Sequence, residues 1–427
     1  MDLRAFLAAL DAAHTLRHIT APTAPRFEVA RVIAAQDREP LLFEELPGYP
    51  GWRMVAGYVA QRAHFARAIG CELPELVARM AAALAHPETP PVVANAPAQE
   101  VVEEQVDLTR LPIPRYHPLD GGPYITSGVT VITDPDWGRN LAFHRLLLRD
   151  EQHLVARIVE RRGTDTAWRK SPEGLPIAVC IGLPPHVLLA AATSPALDVD
   201  EAAIAHALAP TPLVRALTVP LEIPAEAELV LEGILTHELD SEGPFPDLTG
   251  TLDGVRQQPV FRVTAVTHRR DPIFHALLPA GLEHRNLMGM PREPTIFAAV
   301  NQVVKCTGVT ITPGGCSWLH AVVQIEKQGP DDARRAIKAA FRGHSSLKHV
   351  VVVDTDVDIY RPQDVEWAIA TRFQAGRGLY IFPEQPSSSL DPSARQIPGE
   401  KSRSDKLGVD ATIPWDAEKE GYVRVKY

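Results

Sequence analysis

Residues 124–160 read YITSGVTVITDPDWGRNLAFHRLLLRDEQHLVARIVE. Three apolar, β-branched runs, YITSGVTVITD, NLAFHRLLLRD and HLVARIVE, are separated by short turns rich in Asp, Pro and Gly, the pattern of consecutive strands. Runs of the same kind follow: LPIAVCIGL, ELVLEGILTHEL, VFRVTAVTHR and PIFHALL. One helical stretch, DEAAIAHALAP, interrupts them, with Asp200 or Asp198 as its N-cap and acids in its first turn. Short strands joined by Gly, Pro and Asp turns predict a barrel or sandwich at the centre of the chain.

Outward from that centre the texture changes. Towards the N-terminus, residues 2–17 and 57–86 have helical apolar spacing, while FEVARVIAAQ (27–36) and PLLFEEL (40–46) alternate or run apolar in strand fashion. AHPETPPVVANAPAQ (85–99), rich in Pro and Ala, reads as a linker. From about Pro294 helices and strands alternate. TIFAAVNQVVKC reads as a helix, SWLHAVVQIEKQ as a strand, DDARRAIKAAFRGH as a helix and HVVVVDTDVD as a buried strand ending in acids. VEWAIATRF is again helical and GLYIFP a strand, an alternation that predicts a separate α/β unit. The tail ends in KLGVDATIPWDAEKEGYVRVKY, which is patterned enough to be ordered.

A chain of 427 residues has room for two or three domains and a large core. Its four cysteines (Cys71, Cys180, Cys306, Cys316) form no CxxC pair and no Cys/His cluster, which argues against structural zinc and for a reducing, cytoplasmic setting. The first residues, MDLRAFLAALDAAHTLRH, read as an amphipathic helix rather than a signal peptide, and no apolar run reaches membrane-spanning length. A net charge of −10, with no basic stripe interleaved with aromatics, disfavours nucleic acid as a partner.

The candidate chemistry lies in RNLAFHR (139–145), DVDEAAIAHAL with Glu201, and SEGPFPDLTG with Glu242 and Asp247. An amide, a guanidinium and three carboxylates among apolar strands need partners, because an unpaired buried charge is costly. A phosphate-bearing cofactor with a divalent cation would use them all: Asn and Glu suit a hard cation, Arg suits a phosphate or carboxylate, and a Glu/Asp pair can move protons. Asn140 and Arg145 are five apart, so on a straight strand they face opposite ways. They share a site only if one sits at a strand end or a bulge. Taken singly, each residue has an ordinary reading: Asn140 as a turn residue, Arg145 on a strand surface, Glu201 complementing a helix dipole, and Glu242 and Asp247 on a solvated turn around Gly243-Pro244. His144, His275 and His284 read as residues for packing or local hydrogen bonds. Gly314-Gly315 reads as a turn, Cys316 as structural, and Asp354, Asp356 and Asp358 as solvated acids at a strand terminus.

In combination these segments resemble a known family. LPIPRYHPLDGGPYIT, GRNLAFHR, VARIVERRG, DEAAIAHAL, LEGILTHELDSEGPFPDLTG and KLGVDAT occur in the order seen in UbiD-type decarboxylases, and the likeness spans about residues 105–415. GLEHRNLMGMPREPTIFAAV is most similar to a shorter, largely archaeal branch that acts on anhydromevalonate phosphate. The resemblance implies an α/β (α+β) fold. A central split β-barrel cofactor domain, flavin-reductase-like, would span 105–298, with an N-terminal α/β segment at 1–104 and a C-terminal α/β domain for oligomerisation at 299–427. It implies prenylated FMN as cofactor, supplied by a flavin prenyltransferase, with a divalent metal, manganese by preference, and potassium as a further candidate cation. Asn140 and Glu201 match the metal ligands. Phe143, His144, Arg145, Arg157, Ile158 and Val159 match the flavin-contacting stretches, and Arg162 and Gly163 the phosphate end, with Lys406 in KLGVDAT as a further cofactor contact. Arg145, Glu242 and Asp247 match the catalytic Arg and two carboxylates, Asp247 being the proton donor. Two positions depart from the pattern. Ferulate-type members have a third, His metal ligand where this chain has Gly163, and Glu where it has Asp247.

The implied chemistry is non-oxidative, reversible decarboxylation of an α,β-unsaturated or (hetero)aromatic acid. It leaves a carbanion and needs an electron sink that no side chain supplies. Asp247 would have to carry a proton near neutral pH, which desolvation or Glu242 as a like-charge neighbour would favour. The alternatives are a flavin-reductase-like oxidoreductase, which has no use for the Arg145, Glu242 and Asp247 trio, and a non-catalytic subunit of a decarboxylase complex.

Overall fold

The computed structural model describes residues 1–397, 400–422 and 424, so the end of the C-terminal stretch falls partly outside the described residues. The chain divides into two compact units. One comprises residues 1–73 and 82–287, the other 74–81 and 288–427.

The first unit is built on a nine-stranded sheet. Its path runs Tyr124–Ile125, Leu146–Leu148, His153–Ala156, Arg256–His268, Leu229–Glu242, Leu175–Ile181, Val129–Asp134 and Gly138–Phe143, with Val101–Val102 pairing onto the 256–268 strand. These pairings are antiparallel, as short turns between successive strands require. Of the three runs read from residues 124–160, the first breaks into Tyr124–Ile125 and Val129–Asp134, the second into Gly138–Phe143 and Leu146–Leu148, and the third ends at Ala156, ahead of Arg157. The sheet is an open path: among the described residues its two end strands, 124–125 and 138–143, do not pair, so no closed barrel forms. Inward residues such as Ile125, Ile132, Leu146, Leu154, Val179 and Phe261 are fully buried and form one core. Burying each such side chain contributes roughly 1.5–3 kcal/mol.

A four-stranded sheet (Arg17–Ile19, Leu41–Phe43, Arg53–Ala56, Ile273–His275) belongs to the same unit. FEVARVIAAQ, read above as a strand, is a helix over Glu28–Ala35. Its buried residues are Val29, Ala30 and Ile33, a helical stripe that the β-branched Val and Ile obscured. The helical reading of 57–86 also breaks up. Helices Arg62–Ile69 and Leu76–Ala85 are separated by Gly70 in the left-handed C-cap conformation that ends the first. The segment 85–99 carries a strand, Val92–Val93, paired with Leu213–Arg215 inside the first unit. The helices Gly163–Lys170 and Pro185–Ala191 of this unit fell outside the sequence reading.

The second unit holds a five-stranded sheet in the order Lys305–Ile311, His320–Glu326, His349–Asp354, Arg403–Asp410 and Leu379–Pro386. Its middle pairings are parallel, as the β-α alternation implies. TIFAAVNQVVKC does not stay helical to its end. The helix stops at Asn301 and a strand starts at Lys305.

Candidate functional site

Four segments of the first unit carry the candidate site residues, and the sheet fixes their order. The Val129–Asp134 and Gly138–Phe143 strands form a hairpin in which Ile132 faces Asn140 and Val129 faces Phe143. Gly138 closes its turn at φ +84°, a conformation that suits glycine. Asp134 Oδ1 accepts from the Asp136 and Trp137 amides. The strand ends at Phe143, so His144 and Arg145 lie beyond it. That strand end frees Arg145 from the opposite-face rule that its offset from Asn140 would impose.

The Glu201–Leu208 helix starts at Asp200, whose side chain accepts from the Ala202 amide. Arg139 grips the same Asp200 through Nε and Nη2 at 3.0 and 2.9 Å and reaches Glu222 at 2.8 Å. The helix is thereby fastened to the strand carrying Asn140, and Glu201 meets that strand. Asn140 Nδ2 donates to both Glu201 oxygens at 2.9 and 3.1 Å, and the Leu141 amide donates to Oε2 at 2.9 Å. Glu201 is 3% exposed and, among the described residues, no Lys, Arg or His bonds it. Burial pushes its carboxyl up to about 7, and neighbouring Asp200 adds to the rise. Gly163 stands beside the pair, where an added Cβ would lie 3.2 Å from Asn140 Oδ1.

The second cluster centres on Arg145. Its Nε and Nη2 donate to the two oxygens of Glu242 at 2.8 and 2.9 Å, a bidentate pair. Nη2 also donates to Asp253 at 2.9 Å, while Asp247 lies 3.9 Å from Nη1. Glu242 is fully buried, and the Tyr124 hydroxyl donates to it at 3.0 Å. The Arg145 guanidinium lies 4.5 Å from the Phe245 ring, a cation–π contact. Burial alone would make Arg145 easier to deprotonate, but Glu242 and Asp253 outweigh it and strengthen its charge. Glu242 ends the 229–242 strand. Asp247 sits at the tip of the hairpin formed by Phe245–Pro246 and Leu252–Asp253.

Arg157, Ile158, Val159, Arg162 and Gly163 lie on the connection from the 153–156 strand to the 163–170 helix. Ile158 is buried, with its amide bonded to Gln258, while Val159 is exposed. Arg157 bonds the Ile158 carbonyl, and among the described residues no carboxylate pairs with it or with Arg162. Burial makes Arg157 easier to deprotonate, and its neighbours Arg256 and Arg145 act in the same direction. Arg162 and Gly163 are the N-cap and first residue of the helix, whose amide end favours an anion. His144 bonds the Arg157 carbonyl and Thr164 Oγ1 at 3.1 and 2.8 Å, and burial holds it down at about 4, so it is neutral.

Lys406 belongs to the second unit. Its ammonium donates to the Ser345 and Leu347 carbonyls at 2.7 Å each, and burial lowers it to about 8. Asp354 and Asp356 clasp the buried Arg372 at 3.0 and 2.5 Å. Among the described residues no group of three or more His, Cys, Asp and Glu is placed to hold a metal. Pro313–Gly315 is a helical turn, as the reading of that glycine pair implied.

One residue near the Arg145 cluster escaped the sequence reading, and another, His284, makes a local hydrogen bond as expected. Asp253, in TLDGV, looks like a turn residue. His284 accepts from the Ala280 amide, and Asp247 and Arg145 lie close enough to act on it, although burial dominates and lowers it.

Residues 91–282 match the 3-octaprenyl-4-hydroxybenzoate carboxy-lyase Rift-related domain of the UbiD family. Residues 7–84 and 285–411 match its N-terminal and C-terminal domains. The chain is 40% identical over 408 residues to a protein of Methanocaldococcus jannaschii named anhydromevalonate phosphate decarboxylase, covering 94% of this chain and 95% of that protein. It superposes on the UbiD-class enzyme HmfF from Pelotomaculum thermopropionicum in complex with FMN with a TM-score of 0.94 at 39% identity, over 100% of this chain and 97% of that one. An evolved dimeric form of HmfF in complex with prFMN gives a TM-score of 0.90 at 38% identity, with the same coverage. The chain belongs to the UbiD family. It is a carboxy-lyase of that class, a decarboxylase.

Proposed function

We propose that the protein catalyses the reversible, non-oxidative decarboxylation of an α,β-unsaturated or (hetero)aromatic acid with prenylated FMN and a divalent cation. One observation carries this reading: the charges left unmatched within the first unit. Glu201 is a buried carboxylate bonded only by amides, and Arg157 and Arg162 are cations without a carboxylate partner among the described residues. A phosphate-bearing cofactor with a cation on its phosphate matches both sets. Asn140 and Glu201 would hold the cation, manganese by preference, with potassium as a further candidate. Arg162 and the amide end at Gly163 would take the phosphate. Phe143, His144, Arg145, Arg157, Ile158 and Val159 would border the flavin on a split-barrel face. Gly163 supplies no third metal ligand, and a larger side chain there would press on Asn140.

When bound, the cofactor supplies the electron sink. This chain's residues orient the acid and move the proton. Arg145, fastened by Glu242, has no close hydrogen bond on Nη1 among the described residues, so it can meet the acid's carboxylate. Asp247, beside that corner, delivers the proton to the carbon that lost carbon dioxide. Glu242, bonded by Arg145 and the Tyr124 hydroxyl, orients Arg145. The rival oxidoreductase would have no use for the Arg145, Glu242 and Asp247 trio.

For the substrate, relatives of 38–42% identity named anhydromevalonate phosphate decarboxylase, together with GLEHRNLMGMPREPTIFAAV, favour a phosphorylated aliphatic acid. We take the protein to act in the cytoplasm as at least a homodimer through 299–427, with domain boundaries as given above. No helix among the described residues is long and apolar enough to cross a membrane.

The test is co-expression with a flavin prenyltransferase, an absorbance spectrum, and carbon dioxide release from cinnamate-like, hydroxybenzoate-like, heteroaromatic and phosphorylated aliphatic acids. A flavin-loaded protein that releases none refutes the reading. Oxidation of NAD(P)H instead supports the oxidoreductase, and absence of flavin supports the non-catalytic subunit.

A further inference from the structure

A guanidinium has five N–H donors, and Arg145 distributes them unevenly. Nε and one Nη2 hydrogen go to Glu242, and the other Nη2 hydrogen goes to Asp253 at 2.9 Å. Glu242 already pairs with Arg145 bidentately, so Asp253 is not needed to neutralise it. Asp253 is itself gripped on its other oxygen by Arg256 Nη1 at 2.5 Å, and it is only 17% exposed.

The backbone gives this contact its meaning. Asp253 stands opposite Phe245 in a two-rung ladder, Phe245↔Asp253 and Pro246↔Leu252. Phe245 lies against the Arg145 guanidinium. Both strands at the base of the hairpin are therefore fastened to one side chain. Asp247 is the next residue after the ladder, its amide bonding the Thr251 carbonyl and its own carbonyl accepting from Gly250. Its place beside Nη1 depends on where the hairpin base is held.

We propose that Asp253, supported by Arg256, is a positioning residue that fastens the Asp247 hairpin to Arg145 and so sets where the proton donor stands. The inference rests on the reading of Asp247 as donor. Asp253 acts through Arg145 and the hairpin ladder, not by touching substrate.

The test compares Asp253→Asn, Arg256→Gln and their double variant with Asp240→Asn, an acid outside the cluster paired with Arg149. Hydrogen exchange of the full-length protein, read over residues 245–252, should speed up on the order of tenfold in both single variants and stay unchanged in Asp240→Asn. In flavin-loaded enzyme, kcat should fall roughly 10- to 100-fold in Asp253→Asn, with KM within about threefold and flavin absorbance unchanged. The double variant should be no worse than Asp253→Asn alone, because the two residues act as one device. Unchanged hairpin exchange, additive losses, or a kcat loss that only follows lost flavin overturns the proposal. Arg256 is largely exposed, so Arg256→Gln decides the matter if Asp253→Asn fails to fold. A wild type that releases no carbon dioxide refutes the reading of function, and hairpin exchange still decides the role of Asp253.

Discussion

Glu242 and Glu201 are buried carboxylates in one unit, and their surroundings neutralise them in opposite ways. Glu242 receives two guanidinium bonds and a phenol, all from the chain itself. Among the described residues Glu201 receives only amide hydrogens, Asn140 and Leu141 among their donors, and burial raises it to about 7. The first arrangement is complete and rigid, as a group that orients an acid and a proton donor must be. The second lacks a cationic partner among the described residues, as the proposed cation site would require. Sites built for orientation and sites built for uptake thus differ in whether the protein has already closed its own charge balance.

Removing a partner from the closed side should have the largest effect. Arg145→Met leaves fully buried Glu242 without its counter-charge, a change that typically costs about 3–5 kcal/mol. Urea unfolding should show that loss, and turnover should vanish with it. A variant as stable as wild type would break the comparison at its root.

Asp247→Asn sharpens it from the chemical side. It keeps the shape but removes a carboxylic proton, so turnover should fall about 10²–10⁴-fold while bound flavin is retained. In deuterated solvent the wild-type product should carry deuterium at the carbon that held the carboxylate. Near-normal turnover would move the donor role elsewhere, with Glu242→Gln as the next test.

The open side predicts a different signature. In metal-free protein Glu201→Ala loses hydrogen bonds but no ion pair, so stability should change by about 1 kcal/mol or less in either direction. Manganese should raise the Tm of the wild type by mass action and leave that of Glu201→Ala unchanged. The variant should also lose flavin along with activity. Full flavin occupancy would remove Glu201 from the site.

How much of this was legible depended on whether a residue's meaning is local. The strands of 124–160 announce themselves by alternation and turn residues, and the Asp200 cap by its place before an apolar helix. Asn140 and Arg145 carried a local geometric condition, a strand end between them, and the chain meets it at Phe143. The misreadings have physical causes. In FEVARVIAAQ the branched side chains favour a strand, but the face that packs is helical. In QVVKC the apolar run continues past the helix end into a new strand. Asp253 was invisible because its partner Arg145 is 108 residues away, and nothing in TLDGV distinguishes a clamp from a turn. The unmatched charge of Glu201 was equally hidden, since it depends on what the fold leaves beside it.

Acid probes the seam between the two sides. His144 joins the end of the Asn140 strand to the 163–170 helix through Thr164, and burial lowers it to about 4 from an ordinary 6.5. A lowered folded value means that the unfolded chain takes up the proton first. Its contribution to stability is full above pH 6.5 and is lost as pH falls towards 4. His144→Gln should therefore show a shallower decline of Tm between pH 6.5 and 4 than the wild type. Parallel declines would assign the acid sensitivity to other buried histidines, such as His186 or His344.

The smallest effect should come from Gly163→Ala. The added methyl would stand 3.2 Å from Asn140 Oδ1, closer than comfortable contact, so the amide must give by a few tenths of an ångström. Asn140 is also held by its bonds to Glu201, so the displacement falls on the pair that would hold the cation. Manganese affinity, read by calorimetry on metal-free protein, should weaken a few-fold, on the order of 1 kcal/mol. Stability in the absence of metal should hold or rise by up to about 1 kcal/mol, because alanine favours the helix more than glycine does. The Arg145 cluster should not register the change: in flavin-loaded enzyme at saturating manganese, kcat should match the wild type. A kcat loss that saturating metal does not restore would mean that the open and closed sides are mechanically coupled, and the division drawn between Glu201 and Glu242 would fail there.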